Sequence, residues 1–415
     1  MATAAIESDS VSVMPVDPFD VSRPELYSDD LWHAPFRELR ATSPVHRVEH
    51  SDFGAYWSVS SYKPIVAVES LPDLYSSQAG GITIADFIED RGDVKMPMFI
   101  AMDRPKHTGQ RRTVAPAFTP SEMVRLTETI RARTAEILDG LDWNTPFDWV
   151  DRVAVELTTQ MLAILFDFPW ADRRKLTFWS DWAGDVELVK TAELRAQRLQ
   201  HMYECGGYFQ KLWNDKVGKE PTPDLISMMI HSDAMAEMDQ LEFLGNLILL
   251  IVGGNDTTRN TMSAVAYGLD QFPDSRAKLE ADPGLIHNAV QEIIRWQTPL
   301  AHMRRTATTD TELEGQRIAA GDKLILWYIS ANRDESVFED ADRILVDRPN
   351  ARRHLAFGHG IHRCVGARLA ELQVSVLLEE MAKRRMRVNM LGAPERVSAC
   401  FVHGYRKLPV EITRY

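Results

Sequence analysis

The chain has 415 residues, 45% of them apolar and 26% charged, which is the balance of a packed globular protein. Its formal net charge of -13 argues against coating nucleic acid, and its three cysteines (Cys205, Cys364 and Cys400) are too few and odd in number for a disulfide framework. The first ten residues show neither the basic nor the apolar region of a secretion signal. The most apolar run, Leu247 to Val252, is far too short to cross a bilayer, so a soluble, cytoplasmic protein without a membrane anchor is expected.

Along the chain, Pro15 and Pro18 predict a loose tail over residues 1–20. Tyr56-Trp57-Ser58-Val59 reads as a short strand of a small sheet near the N-terminal side. From about Ser121 helical patterning dominates, with helices over Met123 to Leu141, Arg173 to Ala183, Leu194 to Val217 and Leu285 to Trp296. A long helix over about 239–272 is apolar on several faces and therefore belongs in a core; at ~1.5 Å per residue it is roughly 50 Å long. Gly253, Gly254, Asn255, Asp256, Thr257 and Thr258 interrupt its middle. Two readings stand side by side: an opened or kinked turn, or tight packing against a neighbouring helix with Asp256 in a salt bridge. Short strands follow at Thr311 to Leu313, Gly315 to Ile318 and Lys323 to Trp327, and a strand pair is expected between Phe401 to His403 and Leu408 to Ile412.

The chemistry concentrates in Phe357-Gly358-His359-Gly360-Ile361-His362-Arg363-Cys364-Val365-Gly366. Its glycines allow a tight loop, and the segment from Ala367 to Gln373 is a strong helix former. Cys364 thus sits where a loop runs into a helix, a place whose free N–H groups and positive dipole favour a thiolate and temper its donation to a metal. A lone cysteine is more often a buried, inert hydrophobe. Here the whole string, Phe-Gly-x-Gly-x-His-x-Cys-x-Gly, resembles the haem-binding signature of the cytochrome P450 family, in which the cysteine thiolate is the axial ligand of the iron.

The resemblance extends from about residue 50 to the C-terminus. It implies a mainly α fold with small β-sheets, one domain over residues 21–415, and haem b (iron protoporphyrin IX) held by Cys364 with Phe357, Gly358 and Gly366 around it. Glu292-Ile293-Ile294-Arg295 matches the family's Glu-x-x-Arg, and Arg348 the arginine that completes a buried structural charge network. His107 and Arg111, together with Arg305 and His354, match the positions that bind haem carboxylates. Gly253 to Thr258 is similar to the family's oxygen-activation groove. The implied roles are a hydrogen bond from Thr257 to the activated oxygen and proton delivery by Asp256.

Gly254 to Asn260, Arg173 to Trp182 and Met98 to Asp103 resemble the bacterial branch that hydroxylates alkanes and fatty acids at the terminal carbon; the cysteine loop departs from it at His359 and Ala367. The implied reaction inserts one atom of O2 into an unactivated C–H bond. Terminal attack requires an apolar tunnel, with Leu249, Gly253, Ala301 and Phe401 as candidate lining and Ile82 to Phe99 and Trp170 to Tyr203 as its mouth. Electrons are expected from a ferredoxin and its reductase, which would dock near Cys364 on a patch of Arg112, Arg352, Arg353, Arg363 and Arg368. The alternatives are a hydroxylase of terpenoids, steroids or polyketides, and a haem-binding sensor without turnover.

Overall fold

The carboxylate of Asp239 starts the central helix, accepting the N–H groups of Leu241 and Glu242, and the helix then runs over Gln240–Gln271. The computed structural model describes residues 17–87, 94–184 and 191–415. Most of the central helix is buried, and on its two halves it contributes to two separate apolar clusters. Of the two readings of its middle, the structure shows the packed one. The helix is continuous through Gly253–Thr258, and a Cβ on Gly254 would press into Leu162. Thr257 returns its hydroxyl to the Gly253 carbonyl at 2.8 Å, so this threonine is satisfied within the helix rather than opening it.

The other helices surround this one. Pro120–Asp139, Arg174–Gly184, Ala192–Lys216 and Ile286–Gln297 fall within three residues of the ends expected from apolar periodicity. Ala367–Lys383 follows the cysteine loop, and Tyr62–Glu69 and Lys106–Val114 bring two further groups to the same region.

The sheets join segments far apart in the chain. Tyr56–Val59 pairs antiparallel with Val45–Val48 and parallel with Lys323–Leu326, which also pairs with Met303–Ala307. The hairpin of Thr311–Leu313 and Gln316–Ile318 stands apart from this sheet. Pro409–Arg414 does not pair with Phe401 to His403 as expected. Its partners are Met386–Met390 and Phe147–Asp148, while Val402 makes a single bridge to Leu300.

Of the residues expected to form a loose tail, 17–20 do not. From Asp17 the chain is held down: the buried Asp20 carboxylate accepts the Ser22 and Tyr56 hydroxyls, and the Phe19 ring meets His46 edge-on at 5.0 Å. Residues 1–16 lie outside the described part. Among the described residues no helix is long and apolar enough to cross a membrane.

Candidate functional site

The cysteine loop is held by its own backbone. The Cys364 N–H donates to the Phe357 carbonyl at 2.8 Å, and Gly358 and Gly360 have φ of 68° and 64°, the left-handed region in which a side chain is strained. Cys364 alone of the three cysteines keeps accessible surface; Cys205 and Cys400 are buried. Protein atoms crowd the Cys364 thiol enough for burial to push its pKa up, while the Gly366 N–H, Arg111 and Arg363 pull it down. The thiol is thus both crowded by protein atoms and accessible, and these donors stabilise its anion. Cys400, by contrast, is pushed up to about 12 by burial and is inert.

His107 and Arg111 project from Lys106–Val114 toward this loop. The Arg111 guanidinium donates to the Arg363 carbonyl, and the His107 ring lies 4.2 Å from that of His362. Both nitrogens of His107 and both of His362 are buried without a hydrogen-bond partner among the described residues. Burial, then Arg111, holds His107 down at about 4; burial, then Arg305, lowers His362 well below its ordinary value. The two rings are therefore neutral near pH 7, each with an N–H to give. Unpartnered buried donors beside two guanidinium groups ask for an acceptor of negative charge. A sulfur for iron and this donor set for carboxylates fit haem.

The structure brings His107, Arg111 and Arg305 into this neighbourhood but not His354. The His354 ring is buried against Gln291, 3.3 Å from its side-chain oxygen, and its other nitrogen accepts the Ala356 N–H at 3.2 Å. Both its nitrogens are spent in holding the loop. His362, inside the signature itself, takes the place beside His107; its fixed position in the motif was the signal for it. Glu69, at the end of Tyr62–Glu69, was also missed: Arg305 donates to it at 2.9 Å.

Glu292, Arg295 and Arg348 form a closed network. Arg295 donates to both Glu292 oxygens at 2.7 and 2.8 Å and to the carbonyls of Asn332, Ala341 and Arg343. Arg348 donates its Nε to the same carboxylate at 2.9 Å, and the Leu345 N–H adds a further bond. All three side chains are buried and paired, as such charges must be.

On the central helix, Asp256 is buried and accepts from Ser180 at 3.0 Å, Asn255 at 3.0 Å and Arg259 at 3.1 Å; Arg259 also pairs with Asp181 at 2.8 Å. Burial pushes Asp256 up to about 6 against the pull of Arg259, which leaves it able to exchange a proton near neutral pH. Asp256 and Thr257 share no hydrogen bond. Successive helix positions point about 100° apart, and each side chain has its own partner.

Of the tunnel candidates, Leu249, Gly253 and Phe401 keep accessible surface, and a Cβ on Gly253 would meet open space. Ala301 does not join them. It is fully buried in a cluster with Trp327 and Ile325, its N–H bound to the Phe401 carbonyl, and its neighbour Leu300 is the more accessible. Of the two mouth segments, residues 88–93 and 185–190 lie outside the described part. In what is described, Asp86 ties the first to Arg304 and Lys323 at 2.6 and 2.7 Å, and Phe178 and Trp182 gather around His201 in the second. Arg112, Arg352, Arg353, Arg363 and Arg368 are all exposed.

The Cytochrome P450 family model matches residues 284–388, which include the charge network and the cysteine loop. The linalool 8-monooxygenase of Pseudomonas putida is 35% identical over 94% of this chain and 98% of its own length. The methyl-branched lipid omega-hydroxylase of Mycobacterium tuberculosis is 33% identical over 92% and 91%. Among solved structures, CYP153D17 from Sphingomonas sp. PAMC 26605 superposes with a TM-score of 0.93 at 86% identity, covering 96% of this chain and 100% of that one. Cytochrome P450-153 from Novosphingobium aromaticivorans gives 0.90 at 62% identity, covering 95% and 100%. With such identity over nearly its whole length, and with an accessible cysteine set beside donors for a carboxylate-bearing cofactor, this chain belongs to the cytochrome P450 family of haem-thiolate monooxygenases.

Proposed function

We propose that this monooxygenase hydroxylates the terminal carbon of medium-length linear aliphatics, n-alkanes or fatty acids, with haem b as cofactor and a ferredoxin as electron donor. The observation that carries the reading is the 86% and 62% identity to the two 153-type structures, beside a relative named for omega-hydroxylation. Haem, when bound, supplies the iron that activates O2. Cys364 is its ligand; His107, Arg111, Arg305 and His362 receive its carboxylates, and Phe357, Gly358 and Gly366 shape the loop beside it. The protein's remaining work is to hold the chain end and to move protons.

In this reading Thr257 donates a proton once its hydroxyl leaves the Gly253 carbonyl, a rotation within one side chain. Asp256 refills it, directly after turning or through a water, and Ser180 and Arg259 set how readily it turns. Leu249, Gly253, Leu300 and Phe401 supply apolar surface for an aliphatic chain. The exposed arginines around Cys364 suit an acidic ferredoxin, whose binding should weaken with added salt.

A second reading, a terpenoid substrate, is favoured by the 35% identity to a linalool 8-monooxygenase. Titrating the ferric protein with alkanes, fatty acids, linear terpenoids and polycyclics, followed by product analysis with a ferredoxin system, separates the two. A low- to high-spin shift with a sharp optimum at one aliphatic length, and a terminal alcohol as product, supports the first. A shift confined to terpenoids or polycyclics, with internal or allylic oxidation, overturns it.

A further inference from the structure

Glu69 is almost wholly buried, at 1% side-chain exposure, and lies outside the chemistry assigned so far. Its Oε1 accepts the Arg305 guanidinium at 2.9 Å and the Tyr328 hydroxyl at 2.6 Å, and its Oε2 accepts the His359 N–H at 2.8 Å. Every neighbour at hydrogen-bond distance is a donor. The arrangement is that of a carboxylate rather than an acid, because arginine keeps its charge and a buried guanidinium needs an anion. Burial pushes the Glu69 carboxyl up, and Arg305, Tyr328 and the His359 N–H pull it back. The backbone is committed as well: a Cβ on Gly360 would collide with the Glu69 carbonyl.

One carboxylate thus grips two things at once. One is the guanidinium expected to face the carboxylates of haem; the other is the loop that carries Cys364, five positions beyond His359. We infer that Glu69 is a positioning residue that locks Arg305 to the cysteine loop and, through its buried negative charge, lowers the reduction potential of the iron. A negative charge near a redox centre disfavours adding an electron, and inside a protein it is poorly screened. Glu69 also holds part of the Arg305 donor capacity away from the cofactor, which leaves the haem carboxylates less neutralised and acts in the same direction. The inference rests on the haem-thiolate reading of the site.

The test is the reduction potential of the haem-loaded protein, measured by spectroelectrochemical titration in wild type, Glu69→Gln, Glu69→Asp and Tyr328→Phe. Glu69→Gln keeps the size and loses the charge, so the potential should rise. Glu69→Asp keeps the charge and should stay nearer wild type. Tyr328→Phe strips a donor from the carboxylate, leaves its charge less compensated, and should move the potential down; it stands in if Glu69→Gln does not fold. Equal potentials in wild type and Glu69→Gln, equal shifts in Gln and Asp, or a rise in Tyr328→Phe each overturn the inference while leaving the function intact. Absence of a Soret band in wild type overturns the function reading and this inference with it.

Discussion

Two buried polar regions of this molecule differ in one respect. Around Glu292, Arg295 and Arg348, donors and acceptors answer one another within the protein, and the cluster is closed. Around His107 and His362, the ring nitrogens are as deeply placed but have no partner among the described residues, and guanidinium groups stand beside them. Closed polar clusters fix a fold; two adjacent rings with all four nitrogens unpartnered, beside guanidinium groups, mark where another molecule's polar groups go. Removing a member should therefore do different damage in the two places: loss of stability in the first, loss of cofactor in the second.

The largest effect is expected in the closed cluster. Arg348→Ala leaves Glu292 buried with one fewer cation and should cost about 3–5 kcal/mol, measured by urea unfolding of the cofactor-free protein. A loss below about 1 kcal/mol would mean the network is not closed in solution. The counterpart in the open cluster is His107→Phe, which keeps the ring and loses the donors. Its cofactor-free stability should stay within about 1 kcal/mol of wild type, while haem affinity falls roughly tenfold, the loss of about one hydrogen bond to a charged group. Equal loss of stability in the two variants would erase the distinction.

The proton path gives a smaller, pH-dependent signature. Asp256 sits at about 6, so its proton-donating form is populated below that pH and depleted above it. Product formed per electron pair should decline as pH rises through about 6, and Asp256→Asn should flatten the profile. Arg259→Gln removes the charge that holds Asp256 down and leaves the Asp181 charge that pushes it up, so the decline should move to higher pH. An unmoved midpoint would take Arg259 out of the path.

The last signature concerns acid. Burial holds His302 at about 4 and His403 at about 3 in the folded chain, below the ordinary 6.5. Between those values the unfolded chain binds protons that the folded chain refuses. Their contribution is fully present above about pH 6.5 and is lost as pH falls toward 4 and 3. Unfolding curves across that window should show the slope, and His302→Gln should reduce it.

How far the sequence discloses all this follows from how local each signal is. Tyr56–Val59 is read from its strand-forming residues and the central helix from its long apolar run, and the cysteine loop from a string of ten adjacent residues. The strand partners of Pro409–Arg414 are not, because Met386–Met390 and Phe147–Asp148 are chosen by tertiary packing that no spacing reveals. Ala301 and Leu300 differ by one step along an extended segment, which turns a side chain from one face to the other. His354 and His362 are both histidines near Cys364, and only the backbone decides which ring meets His107. Glu69 carries no pattern at all: a single glutamate ending an eight-residue helix reads as surface until Arg305, Tyr328 and His359 are seen around it.

The central claim is that Cys364 holds haem iron as a thiolate. Its most direct test is the absorption spectrum of the reduced, haem-loaded protein under carbon monoxide, in wild type and in Cys364→Ala. The strongly red-shifted Soret band of thiolate ligation in wild type, and its absence in Cys364→Ala, is the predicted result. A wild-type band at the position given by histidine ligation, or the same spectrum from both proteins, would contradict it.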